Sequence, residues 1–265
     1  MERESKGLVI TMIIVAIAVV FVVTLLYSYS GMSRPLTVVE SNSMQHSDDT
    51  SYLGIIDTGD MIVMVSPDKR SVTTFVEGYQ NGHSSFGSYG DVVIYYRDNG
   101  KNPVIHRAII WLDYTEGKWS APSLKDYPAE LWENEGTWDD LTGILTLKGL
   151  PFVSGSIDVS VNLDSMSSSP ELAHSGYLTK GDKNSYFDQS VSIHPGPVEK
   201  EDLKAIAGKE IPWLGCIKLL VNHKNERMIP HNSIPCLAVF FIDVIMLIIT
   251  LMMVSDCIRY ERRNR

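Results

Sequence analysis

The sequence predicts a mainly β ectodomain with an inserted subdomain, flanked by two transmembrane α-helices. Three observations lead to this prediction. Two long apolar runs lie near the two ends of the 265-residue chain. Between them are short runs of β-branched and aromatic residues, bounded by glycine and aspartate, as is typical of strands. An acidic, serine-rich stretch at 113–175 interrupts those runs.

The first apolar run, 8–27, contains no charged residue. At helical rise, about 20 such residues cover the hydrocarbon core of a bilayer. The alternative is a cleaved signal peptide, which would have a shorter apolar region followed by a small-x-small cleavage site. Here the run is long and leads into Tyr27, Tyr29 and Arg34, which favours an uncleaved anchor.

The second apolar run is 236–254. The tail after it is basic, because four arginines outnumber two acids, at Arg259, Arg262, Arg263, Arg265, Asp256 and Glu261. Positive flanks stay in the cytoplasm, which predicts a cytoplasmic C-terminus. Two spans then place the N-terminus in the cytoplasm as well, in agreement with Arg3 and Lys6, and place 31–233 outside.

Asp243 interrupts the second run. A carboxyl group at membrane depth is costly and is a candidate functional group. The simpler interpretation is that it is protonated, or hydrogen-bonded to the first span or to a partner helix. The two runs contain no other charge that could form a relay, which favours this structural role.

Three segments of the ectodomain are predicted to be strands, and a fourth is predicted to be a turn. The runs 61–66 and 91–96 are short and rich in β-branched or aromatic residues. Asp-Asn-Gly at 98–100 is a strong turn signal, and 103–111 follows as the next strand. We therefore expect 91–96 and 103–111 to pair as a hairpin.

The long excursion at 113–175 is predicted to be an inserted subdomain or a lid, and it contains no recognisable catalytic motif. Within it, 126–136 is compatible with a short helix, and 158–165 alternates like an exposed strand. The apolar stretch 211–221 is too short to cross a bilayer. It fits either a core strand or a segment lying on the membrane surface.

The predicted organisation has six parts. They are the cytoplasmic N-terminus with the first transmembrane helix (1–30), the first part of the β core (31–112), the insertion (113–175), the second part of the β core (176–233), the second transmembrane helix (234–254) and the basic cytoplasmic tail (255–265).

Composition disfavours several functional classes. The net charge of −9 provides no basic surface for nucleic acid. The three cysteines, Cys216, Cys236 and Cys257, are odd in number, widely spaced and not in CxxC pairs. Neither a disulfide framework nor a cysteine zinc site is therefore expected. HExxH is absent and the seven histidines are scattered, which disfavours a metalloprotease. Neither a metal nor another cofactor is expected.

Four residues are candidates for serine-dependent hydrolysis. Such chemistry needs a hydroxyl, an imidazole that takes its proton, a carboxylate that orients the imidazole, and donors for the oxyanion. Ser43 lies in a polar turn, His106 in a predicted strand, and Asp182 and Asp188 in a polar loop. Taken singly, each also has an ordinary structural interpretation: a loop serine, a strand histidine and turn aspartates.

Taken together, ordered motifs resemble a known family. The motifs ESNSMQ, IDTGDMIVM, YGDVVIYY, NPVIHRAI, YLTKGDKNSYFDQ and IPWLGCIKL follow the order of boxes in type I signal peptidases. They are most similar to the archaeal and endoplasmic-reticulum branch, which uses histidine where the bacterial branch uses lysine. The resemblance covers about 36–112 and 176–221, and SxSM and TKGDxN followed by Asp-Gln are its most specific parts. It implies a signal-peptidase-like β-sheet or barrel.

The resemblance also implies roles for individual residues. Ser43 matches the nucleophile and His106 the general base. Asp188 matches the orienting acid, with Asp182 in support, although the resemblance leaves open which of the two contacts His106. The Ser41 hydroxyl and the Ser43 amide match the oxyanion donors.

Met44, Val104 and Ile105 are expected to form the substrate slot, whose shallow pockets would require small residues at the first and third positions before the cut. The sequence departs from the family at His46, where many members have proline. We expect His46 to be dispensable.

The resemblance implies a membrane-bound serine endopeptidase that removes signal peptides from preproteins. The expected location is the cell membrane, as a multi-pass protein with its catalytic domain on the extracytoplasmic side. Expected partners are signal-peptide-bearing preproteins and the lipid bilayer, with the secretion translocon as a further candidate. One alternative is a maturation protease of narrower specificity for surface or pilin-like proteins, and another is a non-catalytic, membrane-tethered scaffold.

Overall fold

The computed structural model describes residues 2–97, 103–153, 155–191 and 193–263. The predicted turn at 98–100 lies outside these ranges. The helices and strands, in chain order, are α1 (Glu2–Ser30), β1 (Leu36–Val38), β2 (Met61–Val65), α2 (Phe75–Asn81), β3 (Ser84–Ser85), β4 (Ser88–Tyr89), β5 (Val92–Tyr95), β6 (Val104–Thr115), β7 (Lys118–Ser120), β8 (Trp132–Glu133), β9 (Ile144–Phe152), β10 (Gly155–Asn162), α3 (Leu163–Ser167), β11 (Gly176–Lys180), β12 (Leu203–Ile211), α4 (Cys216–Val221) and α5 (Ser233–Arg263).

The main sheet is antiparallel and has the strand order β1-β2-β12-β5-β6-β11, with β7 paired to the end of β6. The mainly β class is therefore confirmed, as are the predicted strands 61–66, 91–96 and 103–111 with slightly shifted ends. The predicted pairing of 91–96 with 103–111 is also confirmed. Val93 lies opposite His106 and Val92 opposite Arg107 in this pair.

The insertion contributes a second antiparallel sheet, β10-β9-β8. Its apolar side chains share one hydrophobic core with the main sheet, where Leu147 and Phe152 belong to the same buried cluster as Ile110 and Phe187. This shared core fixes the insertion against the strands that carry the candidate site.

Two local predictions in the insertion need correction. The helix predicted at 126–136 is wrong, because the chain there forms short 3₁₀ helices at Pro122–Asp126 and Ala129–Leu131 and then enters β8. Proline lacks an N–H and disfavours a helical residue before it, so Pro128 explains the break. The strand predicted at 158–165 starts earlier and ends at Asn162, whose side chain caps α3.

The stretch 211–221 is neither a single core strand nor a segment confined to a surface. Ile211 ends β12, and α4 begins at Cys216. The inner face of α4 buries Cys216 and Leu219 against Ile229 and Leu237 of the following segment. It therefore joins the main sheet to the first turn of α5.

Two glycine-aspartate turns shape the ends of central strands. Gly59 and Gly90 adopt left-handed φ angles of 96° and 74°, and a Cβ atom would press on the Cys216 side chain or the backbone at Phe75. Only glycine fits such positions without strain. Asp60, after the first glycine, is buried and accepts the Trp213 N–H at 2.9 Å.

Helices α1 and α5 are long and apolar enough to cross a membrane. Their most apolar segments, Met12–Ser30 and Ser233–Ser255, have 19 and 23 residues and mean hydropathies of 2.6 and 2.8. Almost all of their described side chains are exposed, and Asp243 lies on the exposed surface of α5. Exposure of so many large apolar side chains suits a lipid environment.

Candidate active site

The Ser43 turn is held between the residue that precedes β2 and the turn that follows β11. After β1, the Val39 N–H donates to the Asp60 carbonyl at 2.9 Å, which directs the chain toward the turn. The Gln45 N–H closes the turn on the Asn42 carbonyl at 3.1 Å, and the Ser43 carbonyl accepts the Lys183 N–H at 2.9 Å. The backbone around Ser43 is therefore fixed, while its side chain stays partly exposed.

Ser43, His106 and Asp188 form a continuous hydrogen-bonded chain. Ser43 Oγ lies 2.9 Å from His106 Nε2, across 63 positions of sequence. His106 Nδ1 lies 2.7 Å from Asp188 Oδ2, across a further 82 positions. An ionised carboxylate can only accept, so it assigns the imidazole proton to Nδ1 and leaves Nε2 free to accept from the serine.

Asp188 is fully buried, and its Oδ2 atom accepts two more hydrogen bonds. Tyr95 donates its hydroxyl at 2.7 Å, and Thr179 donates its hydroxyl at 2.7 Å. Burial, together with the nearby Asp188 charge, raises the pKa of Tyr95 well above its ordinary value, so its hydroxyl stays a donor. These donors stabilise the charge on Oδ2 and hold the carboxylate in one orientation.

Asp182 lies in a different network and contacts Arg107, the neighbour of His106. The Arg107 guanidinium is fully buried and binds both carboxylate oxygens, with Nε at 2.9 Å and Nη2 at 2.7 Å. Burial alone would raise the pKa of Asp182, but the charge and hydrogen bonds of Arg107, aided by His46, lower it to about 2. Asp188, and not Asp182, is therefore the carboxylate hydrogen-bonded to His106.

His46 Nε2 lies 3.2 Å from Asp182 Oδ2, on the side of the carboxylate that Arg107 Nη2 also contacts. In this arrangement, His46 contributes to the Asp182–Arg107 network. Its expected dispensability for the reaction stays a prediction.

Arg107 also orders the loop that contains β3 and β4. Its Nη1 donates to the carbonyl oxygens of Ser85 at 2.9 Å and Gly90 at 3.0 Å, and its Nη2 donates to Phe86 at 3.3 Å. A lysine has no planar fork and could not satisfy these acceptors and Asp182 together. Arg107 therefore connects this loop to Asp182 through hydrogen bonds.

All predicted substrate-slot residues line one cleft of about 470 Å³, together with Ser43 and His106. Ile105 is partly exposed, whereas Met44 and Val104 are almost fully buried and form part of the cleft floor. Ser41 also lines the cleft, with its Oγ 3.3 Å from Ser43 Oγ. The cleft lining is therefore mixed, with apolar side chains beside the hydroxyl groups and imidazole and with charged side chains such as Arg97 and Lys218.

One wall of the cleft is the edge strand β1 with the residues that follow it, from Thr37 to Glu40. Glu40 binds the side chains of Lys218 at 2.9 Å and of Lys224, which lowers the pKa of its carboxyl group. Asn225 donates its side-chain amide to the Glu40 carbonyl at 2.5 Å. These contacts bring α4 and the loop after it to the rim of the cleft.

The same region is joined to the start of α5. The loop that follows Ser43 is hydrogen-bonded to the residue before that helix, because Asn232 N–H donates to Asp49 and Asn232 Oδ1 accepts the Ser51 N–H at 2.7 Å. At the other helix, the Ser30 carbonyl accepts the Ser66 N–H at 2.8 Å. The loop after Ser43 and the residue after β2 are therefore each hydrogen-bonded to a residue at or next to the end of an apolar helix.

Four residues around the site were not among the sequence candidates. Tyr95 and Thr179 orient Asp188, Arg107 holds Asp182, and Gly181 packs directly against Ser43 and His106. Thr179 and Gly181 lie in the TKGDxN motif and Arg107 beside the histidine, so the motifs carried a signal for these three. Tyr95 belongs to an ordinary strand pattern that gives no such signal.

The described residues include no group of three or more histidine, cysteine, aspartate or glutamate side chains arranged to hold a metal ion. A cleft of about 580 Å³ elsewhere is lined by Trp111, Tyr177 and Lys200 and contains none of the candidate residues.

Compared with known proteins, the sequence matches no family model and no curated protein.

Proposed function

We propose that this protein is a membrane-bound serine endopeptidase that removes N-terminal signal peptides from preproteins on the extracytoplasmic side of the membrane. The observation that carries the proposal is the hydrogen-bonded chain Ser43–His106–Asp188, with distances of 2.9 Å and 2.7 Å, opening into a cleft of about 470 Å³. A serine hydroxyl, an imidazole and a buried carboxylate in this order are the groups that acyl transfer needs.

In the proposed reaction, His106 Nε2 takes the proton of Ser43 as Oγ attacks the scissile carbonyl. The imidazolium that forms keeps its Nδ1–H on Asp188, whose negative charge stabilises it. His106 then gives the proton to the leaving amine, and an ester on Ser43 remains. Water, deprotonated by the same imidazole, hydrolyses the ester and restores Ser43.

The negative oxygen of the tetrahedral intermediate needs donors beside Ser43. The Ser43 N–H and the Ser41 hydroxyl are the candidates, because both belong to the same tight turn and the two hydroxyl oxygens are 3.3 Å apart. Ser41 is exposed in the free protein, so a bound peptide would bring this donor into a less aqueous environment.

Substrate binding is proposed to extend the main sheet. Strand β1 pairs with β2 and lies at the end of the strand order, and the residues from Thr37 to Glu40 line the cleft. An extended peptide can add to such an edge through backbone hydrogen bonds, while pockets read alternate side chains. With Met44 and Val104 closing the floor, small side chains before the cut are favoured over large ones.

The position of the cleft fits a membrane-embedded substrate. A signal peptide places its own apolar segment in the bilayer, so its cleavage site emerges near the lipid surface. The loop after Ser43 and the residue after β2 are hydrogen-bonded to residues at or next to the ends of two helices that are able to cross a membrane. The basic flank after the second apolar run supports an extracytoplasmic site. The secretion translocon, which delivers preproteins, is the proposed neighbouring partner.

The proposal is tested by reconstituting the full chain in liposomes and adding a preprotein with an intact signal peptide. We expect the wild type to release the mature protein and Ser43→Ala to lose at least about 10³-fold in rate, because the nucleophile is gone. Ser47→Ala is the matched control in the same loop, since Ser47 Oγ accepts the Asp49 and Thr50 N–H groups and does not touch His106.

Near-normal cleavage by Ser43→Ala would contradict the proposal. A wild type that binds preproteins but does not cut them would support the scaffold alternative instead. The alternative of a narrower maturation protease uses the same residues. Replacing the residues before the cut in the preprotein tests it, since a general signal peptidase tolerates changes among alanine, glycine and serine at those positions.

A further inference from the structure

Lys180, the last residue of β11, is a fully buried lysine beside the proposed active site. Its Nζ donates to the backbone carbonyl of Gly181 at 2.9 Å and has a longer contact of 3.4 Å with that of Asp182. The ammonium group also lies 3.9 Å from the ring centroid of Phe152 in β9 of the insertion. A buried charge is costly unless such contacts compensate it.

The turn that Lys180 contacts touches both reacting groups. The Lys183 N–H donates to the Ser43 carbonyl at 2.9 Å, and the Asn184 N–H donates to the Gly181 carbonyl at 2.9 Å. A Cβ atom on Gly181 would lie 2.6 Å from the Ser43 carbonyl oxygen and 2.9 Å from His106 Nε2. A small movement of this turn would therefore move Ser43 relative to its base.

We propose that Lys180 is a positioning residue whose charge holds the 180–184 turn against Ser43 and His106, and that Phe152 links this turn to the insertion. The proposal rests on the proposed function and gives the insertion a role in the reaction. Phe152 shares its buried cluster with Leu147 and Leu150 of the same strand, so the ring position is set by the second sheet.

The charge on Lys180 makes the arrangement sensitive to alkaline pH. Burial lowers the pKa of Lys180 from 10.5 to about 8, opposed by the charges of Asp182 and Asp188 and assisted by that of Arg107. Deprotonation weakens the hydrogen bond to Gly181 and removes the attraction to the Phe152 ring. Activity should therefore fall as the pH rises through about 8.

Stability should change in the opposite direction. Because the folded pKa of Lys180 is depressed, the unfolded chain binds more protons between about pH 8 and pH 10.5. This group therefore contributes stability that is present above pH 10.5 and is lost as the pH falls through about 8. A loss of activity caused by general unfolding would not show this opposition.

The test compares kcat, KM and pH profiles of the wild type, Lys180→Met and Phe152→Leu in liposomes with a preprotein. Lys180→Met should lower kcat about tenfold or more at neutral pH, with little change in KM. This variant should also lack the alkaline limb of the pH profile, which is the fall in activity as the pH rises through about 8. Phe152→Leu should shift that limb to lower pH, because the charged amine loses its ring partner. An unchanged limb in both folded variants overturns the proposal.

A second measurement does not depend on cleavage. Hydrogen exchange at the Lys183 and Asn184 amides should be about tenfold faster in Lys180→Met than in the wild type, after correction for intrinsic rates. Unchanged exchange would overturn the positioning role even if the wild type proved inactive. A wild type without cleavage, combined with faster exchange in the variant, would reject the proposed function and retain the role of Lys180.

Discussion

Replacement of Gly181 by alanine is the sharpest structural perturbation of the proposed site. The added Cβ atom would meet the Ser43 carbonyl oxygen at 2.6 Å, Asn184 Nδ2 at 2.8 Å and His106 Nε2 at 2.9 Å. Ordinary contact begins near 3.4 Å, so the atoms must separate by about 0.5–0.8 Å. His106 is buried and the Ser43 carbonyl is backbone, so neither can move aside as a flexible surface side chain would.

The required movement is large compared with the tolerance of the Ser43–His106 hydrogen bond. That bond measures 2.9 Å, and a separation of half an ångström or more would take it beyond good hydrogen-bond length. A misplacement of about 1 Å in a catalytic pair costs on the order of 10²-fold in rate, and overpacking costs about 1–3 kcal/mol of stability. We therefore expect Gly181→Ala to lose about 10²-fold in kcat with a modest fall in melting temperature.

The assay is cleavage of a reconstituted preprotein at a temperature where the variant is folded. Gly176→Ala is the matched control, at the start of the strand β11 that leads to Gly181. Its Cβ atom would crowd the Val198 carbonyl at 2.7 Å and Pro197 Cβ at 2.8 Å, and neither belongs to the site. The control should lose stability and keep kcat. Equal kcat in Gly181→Ala and the wild type would refute the packing argument.

Two further predictions concern the base and the buried acids. His106→Lys should lose at least about 10²-fold in kcat, because one amine cannot reproduce the separate contacts of the two ring nitrogens with Ser43 and Asp188. The lysine must also lose its proton before it can act as a base. A nearly full rate in this variant would contradict the prediction. Burial raises the pKa of Asp60 and of Glu210 to about 7, so their stabilising contribution is present below their ordinary values and is lost as the pH rises through about 7. Glu210→Gln should accordingly reduce the fall in melting temperature between pH 5 and pH 8. The reduction should correspond to roughly 1–3 kcal/mol in the free energy of unfolding. An unchanged pH dependence would show that this carboxyl group does not titrate in that range.

The elements that sequence patterns predicted are those with a strong local signal. The apolar runs became α1 and α5, and the β-branched runs became β2, β5 and β6. Strand β12 was not predicted although it is central, between β2 and β5. Its sequence contains Lys204, Gly208, Lys209 and Glu210, so its strand character comes from its neighbours and not from its own composition.

The site was predictable only in part, for a similar reason. The resemblance brought Ser43 and His106 together and favoured Asp188 as the orienting acid, but it left open which aspartate contacts His106. That choice depends on donors from elsewhere in the chain, because Tyr95 and Thr179 fix Asp188 while Arg107 occupies Asp182. The contact between Lys180 and Phe152 depends on how the insertion packs, and no local pattern encodes it.

The most direct test of the proposed reaction is the detection of the covalent intermediate. A preprotein mixed with the reconstituted protein and quenched rapidly in acid should leave an ester on the peptide that contains Ser43, detectable by mass spectrometry. We predict that this adduct carries the cleaved signal peptide and is absent in Ser43→Ala. An adduct on another residue, or full cleavage by Ser43→Ala, would contradict it.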